Sequence, residues 1–135
     1  MDKALKYLAI LTGVICLAIG LYHLIGGAET VIGGGDITAS TDSQERFFAG
    51  LFAVYGATWI WVARQSPIPG VAIRFLAAGL LVGGLGRVAS LIDRGQPHSF
   101  WIVMLAIEIA IPALFFAIAG ADEKANSVQS GAAPR

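Results

Sequence analysis

Glu108 is the residue in this chain whose chemistry most needs an account. It is the one charged residue between Trp101 and Ala119, an otherwise apolar stretch. On a helix rising 1.5 Å per residue it lies ~15 Å beyond His98, near the middle of a ~30 Å hydrocarbon core. A charge at that depth costs at least ~2.5–3.5 kcal/mol on insertion, so it is expected to face other helices or water and to have a partner. Unpaired, the carboxyl would suit proton transfer; paired with a cation, it would suit binding a polar head. Four residues on, Pro112 has no N–H to give the carbonyl of residue 108, so a second acceptor is freed beside the carboxyl. Arg87, ~9 Å short of Asp93 along its own helix, has the reach to be the partner. His23, Glu45, Arg46 and Ser90 are the other polar residues that could join them. Glu108 and His23 are the candidates for acid–base chemistry, with Arg87 positioned to stabilise developing negative charge.

These residues need elements to carry them. Of 135 residues, 56% are hydrophobic and 13% charged, with a mean hydropathy of +0.74, which is too apolar for a soluble domain of this length. Four runs have the 17 to 25 residues that a membrane-crossing helix requires, over about 5–25, 45–63, 71–92 and 99–119. An all-α, four-helix transmembrane bundle is therefore expected over residues 1–120. Connections fall at 26–44, rich in Gly, Thr, Ser and Asp; at Pro67, Pro69 and Gly70; and at Asp93-Arg94-Gly95-Gln96-Pro97. Residues 121–135 are polar and small, without periodicity, and are expected to be a disordered tail.

An amino terminus in the cytoplasm places Lys3, Lys6, Arg64, Arg74, Lys124 and Arg135 inside, against Arg46 and Arg94, or three with Arg87, outside. This predicts a multi-pass protein of the cell inner (plasma) membrane with both termini cytoplasmic. It also brings His23, Glu45, Arg46, Arg87, Ser90 and, deeper, Glu108 to one end of one bundle. Small residues recur three and four apart in the first span (Gly13, Cys16, Gly20, His23, Gly27), the second (Arg46, Ala49, Ala53, with Gly56 or Ala57) and the third (Gly79, Gly83, then Gly86 or Arg87, to Ser90). Such stripes predict close helix packing and orient the polar residues inward. Trp59, Trp61, Trp101 and Tyr7 sit near span boundaries and are expected in the headgroup zone.

Several chemistries are disfavoured. Two histidines and one cysteine in no ligand spacing predict no metal, and no cofactor motif is present. Gly33-Gly34-Gly35 precedes Asp36, where a phosphate loop requires a lysine. No serine sits in a nucleophile elbow. Cys16 lacks an internal disulfide partner and reads as a small hydrophobe. Nine basic and nine acidic residues leave no basic stripe for nucleic acid.

Two stretches carry a resemblance: Gln44-Glu45-Arg46-Phe47-Phe48-Ala49-Gly50-Leu51, and Gly84-Leu85-Gly86-Arg87-Val88-Ala89-Ser90-Leu91-Ile92-Asp93-Arg94-Gly95-Gln96-Pro97 followed by Glu108. Over roughly residues 10 to 118 the chain resembles the bacterial domain of unknown function 4345, short four-helix membrane proteins. The resemblance implies the four-span architecture and groups Glu45, Arg46, Arg87, Ser90 and Glu108 together; it implies no reaction.

Four readings of the polar cluster stand side by side. It is an ion pair fixing helix register; or a pocket, in the bundle alone or in an accessory subunit of a larger membrane complex, for an amphipathic lipid, quinone or isoprenoid bound through His23, Glu45, Arg46, Arg87, Ser90 and Glu108; or an enzyme site acting on such a lipid; or, in an oligomer, a proton-coupled transport path. Membrane lipids, an amphipathic small molecule and a homo-oligomer or larger membrane complex are the partners these readings imply.

Overall fold

The computed structural model describes residues 2–131. Four helices follow one another: α1 (Asp2–Gly26), α2 (Ala39–Ala63), α3 (Gly70–Arg94) and α4 (Ser99–Gly131), with a single 3₁₀ turn at Gly27–Thr30 after α1. All four are long and apolar enough to cross a membrane. Among the described residues there is no strand. The protein is an all-α, four-helix transmembrane bundle.

α2 begins six residues before the apolar run does. Thr38 and Thr41 form a reciprocal cap, each hydroxyl accepting the other's backbone N–H, at 3.1 and 2.8 Å. This satisfies the first free donors of the helix and lets polar residues 39–44 join it. α4 runs past the end of the fourth apolar run, as helix through Gly131. Ala, Glu and Lys are strong helix formers, and adding a residue to an existing helix costs far less than starting one. The last four residues of the expected tail lie outside the described residues. Pro112 is fully buried within α4, which runs through it.

The bundle is built as two hairpins. α1 packs along α2, α3 packs against α4, and the pairs touch each other far less. The α1–α2 seam is the stripe of small residues on both helices. A Cβ on Gly13 would lie 2.7 Å from the Gly56 carbonyl, one on Gly20 would strike the Ala53 backbone, and one on Gly56 the backbone of Leu17. Cys16, on α1 between Gly13 and Gly20, is buried.

The third-span stripe behaves differently. Beside Gly83 and Gly86 there is nothing within 4 Å, and Gly79 meets only the Tyr55 ring. α3 instead approaches α4 at Gly84, where an added Cβ would sit 3.2 Å from that of Glu108. Spacing alone does not say which glycine face meets a helix and which faces a void.

The hairpins are joined at one end by a core of Leu5, Ala9, Trp59, Val62, Ile73, Leu76, Ala77 and Phe115. Trp59 is therefore a core residue and not a headgroup anchor. Its ring centroid lies 4.5 Å from that of Phe115. Steps of four, three and three along α2 place it on the Ala49, Ala53, Gly56 face, and rotation about the helix axis outweighs nearness to the boundary. Trp61, off that face, is exposed, as is Tyr7.

Candidate functional site

Beyond this core, toward the end where α1 and α3 finish and α2 and α4 begin, the hairpins separate. The space between them is a cleft of about 920 Å³. Its floor is Tyr55, whose hydroxyl donates to the Leu76 carbonyl at 2.5 Å and whose ring stacks on Phe52 at 5.8 Å. Its walls are largely aliphatic and aromatic, including Ile19, Phe48, Leu51, Leu80, Ile102 and Leu105. Two polar clusters face each other across it.

One cluster belongs to α3 and α4. Glu108, only 8% exposed, accepts a hydrogen bond at 2.7 Å from Arg87 Nε. Gly84, one turn before Arg87, lets the two helices come close enough for that contact. The guanidinium carbon of Arg87 stands 4.8 Å from the centre of the Trp101 ring, within cation–π range. Trp101 in turn donates its indole N–H to the Ile32 carbonyl at 2.6 Å. The loop after the 3₁₀ turn is thereby tied to the start of α4. Among the described residues, Nη1 and Nη2 of Arg87 and Oε1 of Glu108 have no hydrogen-bond partner. The pair thus offers donors and one acceptor to anything in the cleft.

The second cluster joins α1 to α2. His23 Nδ1 lies 2.6 Å from Thr30 Oγ1 and 3.2 Å from Glu45 Oε1. Thr30 Oγ1 is also 2.6 Å from the Gly27 carbonyl, to which its hydroxyl donates. These contacts are all satisfied only when Nδ1 carries a hydrogen, shared between the threonine oxygen and the carboxylate. A proton placed on Nε2 alone would leave two acceptors facing Nδ1.

Five of the six expected ligand-contacting residues, His23, Glu45, Arg87, Ser90 and Glu108, line the cleft. Ser90 makes no hydrogen bond there among the described residues. Arg46 does not line the cleft. Its Nε meets Asp42 Oδ2 at 2.8 Å, and its Nη1 donates to the carbonyls of Leu24 and Ile25, both at 2.8 Å. These are among the last carbonyls of α1, which lack helical donors, and Arg46 supplies them from the neighbouring helix. Asp42 Oδ1 accepts from the Ala28 N–H at 3.0 Å. Gly27, with φ of 65°, allows this crossing, because a Cβ there would collide with Asp42 and lie 2.6 Å from Arg46 Nη2. Nothing in the sequence marks a carbonyl as lacking its donor, so depth in the membrane and the family resemblance both group Arg46 with the other polar residues. Arg46→Gln is expected to cost about 1.5 kcal/mol, the low end for hydrogen bonds from a charged donor. Amide exchange at Ala28 to Thr30 should quicken while the cleft keeps its shape.

Trp101 is the contributor that sequence reasoning assigned elsewhere. Its place near a span boundary suggested an anchor, whereas its ring supports Arg87. The available signal was its position three residues after His98, on the first turn of the helix that carries Glu108.

Among the described residues, no three His, Cys, Asp or Glu side chains come together as a metal site would require. A family model described as "Domain of unknown function (DUF4345)" matches residues 4–119, all four spans and both polar clusters. No curated protein and no solved structure matches the chain.

Proposed function

The chain belongs to the DUF4345 family, and we propose that it holds an amphipathic molecule, a lipid, quinone or isoprenoid, in the cleft between its two hairpins. The observation that carries this reading is the pairing of about 920 Å³ of largely apolar-walled space with a half-buried ion pair that keeps unused donors and an acceptor on it. Ligand sites combine apolar walls with a few placed polar groups in this way. An ion pair serving helix register alone would need no such space.

Positive charge favours an orientation with both termini in the cytoplasm, in the plasma membrane. The cleft then lies in the outer half of the bundle. The bundle acts alone, as a homo-oligomer, or as the ligand-holding subunit of a larger membrane complex.

A second reading, acid–base chemistry on the bound molecule, is favoured by one specific observation. Glu108 Oε1 stands free beside the cleft while Oε2 is held by Arg87, so the carboxyl is fixed in place with one oxygen available. Native mass spectrometry of protein extracted with its own lipids tests the first reading. Wild type is expected to carry a discrete small molecule, and Arg87→Ala to lose at least tenfold of it. Equal retention by Arg87→Ala overturns the pocket. If Glu108→Gln keeps the bound species and the fold but releases it chemically unchanged where wild type converts it, the enzyme reading stands.

A further inference from the structure

We infer that the occupant of the cleft enters sideways from the membrane, through the gap between α2 and α3, and that its head is uncharged overall, an alcohol or ring-carbonyl group on an apolar chain. This rests on the proposed pocket and adds its route and ligand class.

The route follows from where the cleft walls are exposed. The lining residues from α1 (Ile19, Gly20, His23) and α4 (Trp101, Ile102, Leu105, Glu108) are all buried or half-buried. Every exposed helical lining residue belongs to α2 or α3: Phe48 and Leu51 on one side, Gly79, Gly83, Gly86 and Ser90 on the other. On the α1–α4 side, the loop after the 3₁₀ turn crosses to α4, through the Trp101–Ile32 hydrogen bond and the approach of Gly33 to His98, and draws the two hairpins together. No such tie spans α2 and α3 above Tyr55 among the described residues. The α3 edge of the gap is bare backbone at Gly83 and Gly86, with nothing within 4 Å of an added Cβ. Since α2 and α3 are membrane spans, an opening between them gives onto acyl chains. A molecule bound there can leave its tail among the lipids while its head reaches Arg87 and Glu108.

The head follows from charge. Glu108 and Glu45 bring two negative charges to the cleft, Arg87 one positive charge, and His23 at most one more. The sum is zero or minus one. A phosphate head would need a surplus of cations and would meet two carboxylates, one of them already holding Nε of the only arginine. A free ammonium would face Arg87. An uncharged oxygen can instead accept from the Arg87 Nη groups, and a hydroxyl can donate to Glu108 Oε1, with the ion pair undisturbed.

The test uses protein in lipid nanodiscs and three probes sharing one fifteen-carbon isoprenoid chain that ends in an alcohol, a phosphate or an amine. Retention is read by native mass spectrometry. The alcohol is expected to be retained by wild type at least tenfold better than the phosphate or the amine. Gly83→Trp should reduce its retention at least tenfold while melting close to wild type. Ile107→Trp, on the exposed face of α4 away from the cleft, should change neither. Equal or better retention of the phosphate or amine overturns the head assignment, and undiminished retention in Gly83→Trp overturns the route. If wild type retains none of the three probes and carries no endogenous species, the pocket itself fails, which is a different result from either.

Discussion

Replacing Arg87 with methionine is expected to destabilise the bundle by about 3 kcal/mol, the low end of the range for breaking a buried ion pair by removing one partner. The low end applies because the Arg87 side chain is 36% exposed while that of Glu108 is 10% exposed, so mainly the carboxylate is left stranded. Glu108→Met strands the better-solvated arginine and should cost less. The informative variant is the double one, Arg87→Met with Glu108→Met. Two apolar side chains of similar length remove the charges together, and a buried pair exchanged for apolar neighbours is often neutral or stabilising. Stability in titrations with a denaturing detergent should thus return most of the way to wild type. Bound ligand should be absent from both single variants and from the double variant. If the double variant regains stability and binding together, the polar groups have no part in recognition.

The second large effect belongs to the α1–α2 seam. Gly56→Leu is expected to cost upward of about 3 kcal/mol, at or beyond the usual 1–3 kcal/mol of overpacking. The reason is what the new atoms meet. A Cβ at Gly56 strikes the Leu17 backbone and lies 2.7 Å from the Gly13 carbonyl, so the helices must part because no side chain can swing aside. Parting them uncovers Cys16, and maleimide labelling of that thiol in folded protein should rise in step with the loss of stability. Gly83→Ala and Gly86→Ala make the contrast. Neither added methyl has a neighbour within 4 Å, and each is expected to gain up to about 1 kcal/mol from the helix preference of alanine over glycine. The same residue type, at helical spacing in two spans, should give opposite signs.

That contrast also explains how far the sequence could be read. Four helices were legible because a hydrocarbon core demands a length of apolar chain that few other structures contain. The Arg87–Glu108 pair was legible for a related reason, since the rise per residue converts sequence position into depth and two opposite charges at compatible depths seek each other. Rotation about the helix axis was harder to read. Trp59 and Trp61 differ by two positions, and one is in the core while the other is exposed. Gly84 and Gly83 are adjacent, and one touches α4 while the other borders the void. The start of α2 was missed because its cap is a pair of threonines, where a capping box usually has a glutamate or glutamine at the fourth place. Arg46 stands outside the cleft because its acceptors are main-chain atoms of α1, which are identifiable only once the fold has brought the two helices side by side.

On the proposed reading, a sideways opening of the cleft changes what affinity means for this protein. With no ligand present, the space between the hairpins is accessible to the tails of ordinary lipids, so the solvent that a ligand displaces is the bilayer itself. Binding is then an exchange, and its natural concentration scale is mole fraction in the leaflet. A compound making up one lipid in a hundred must be preferred over its neighbours by about 2.7 kcal/mol to fill half the clefts, since each tenfold excess is worth about 1.4 kcal/mol. Apolar contacts contribute little to that preference, because any acyl chain can make them. On that reading, nearly all of it comes from the few hydrogen bonds at Arg87 and Glu108.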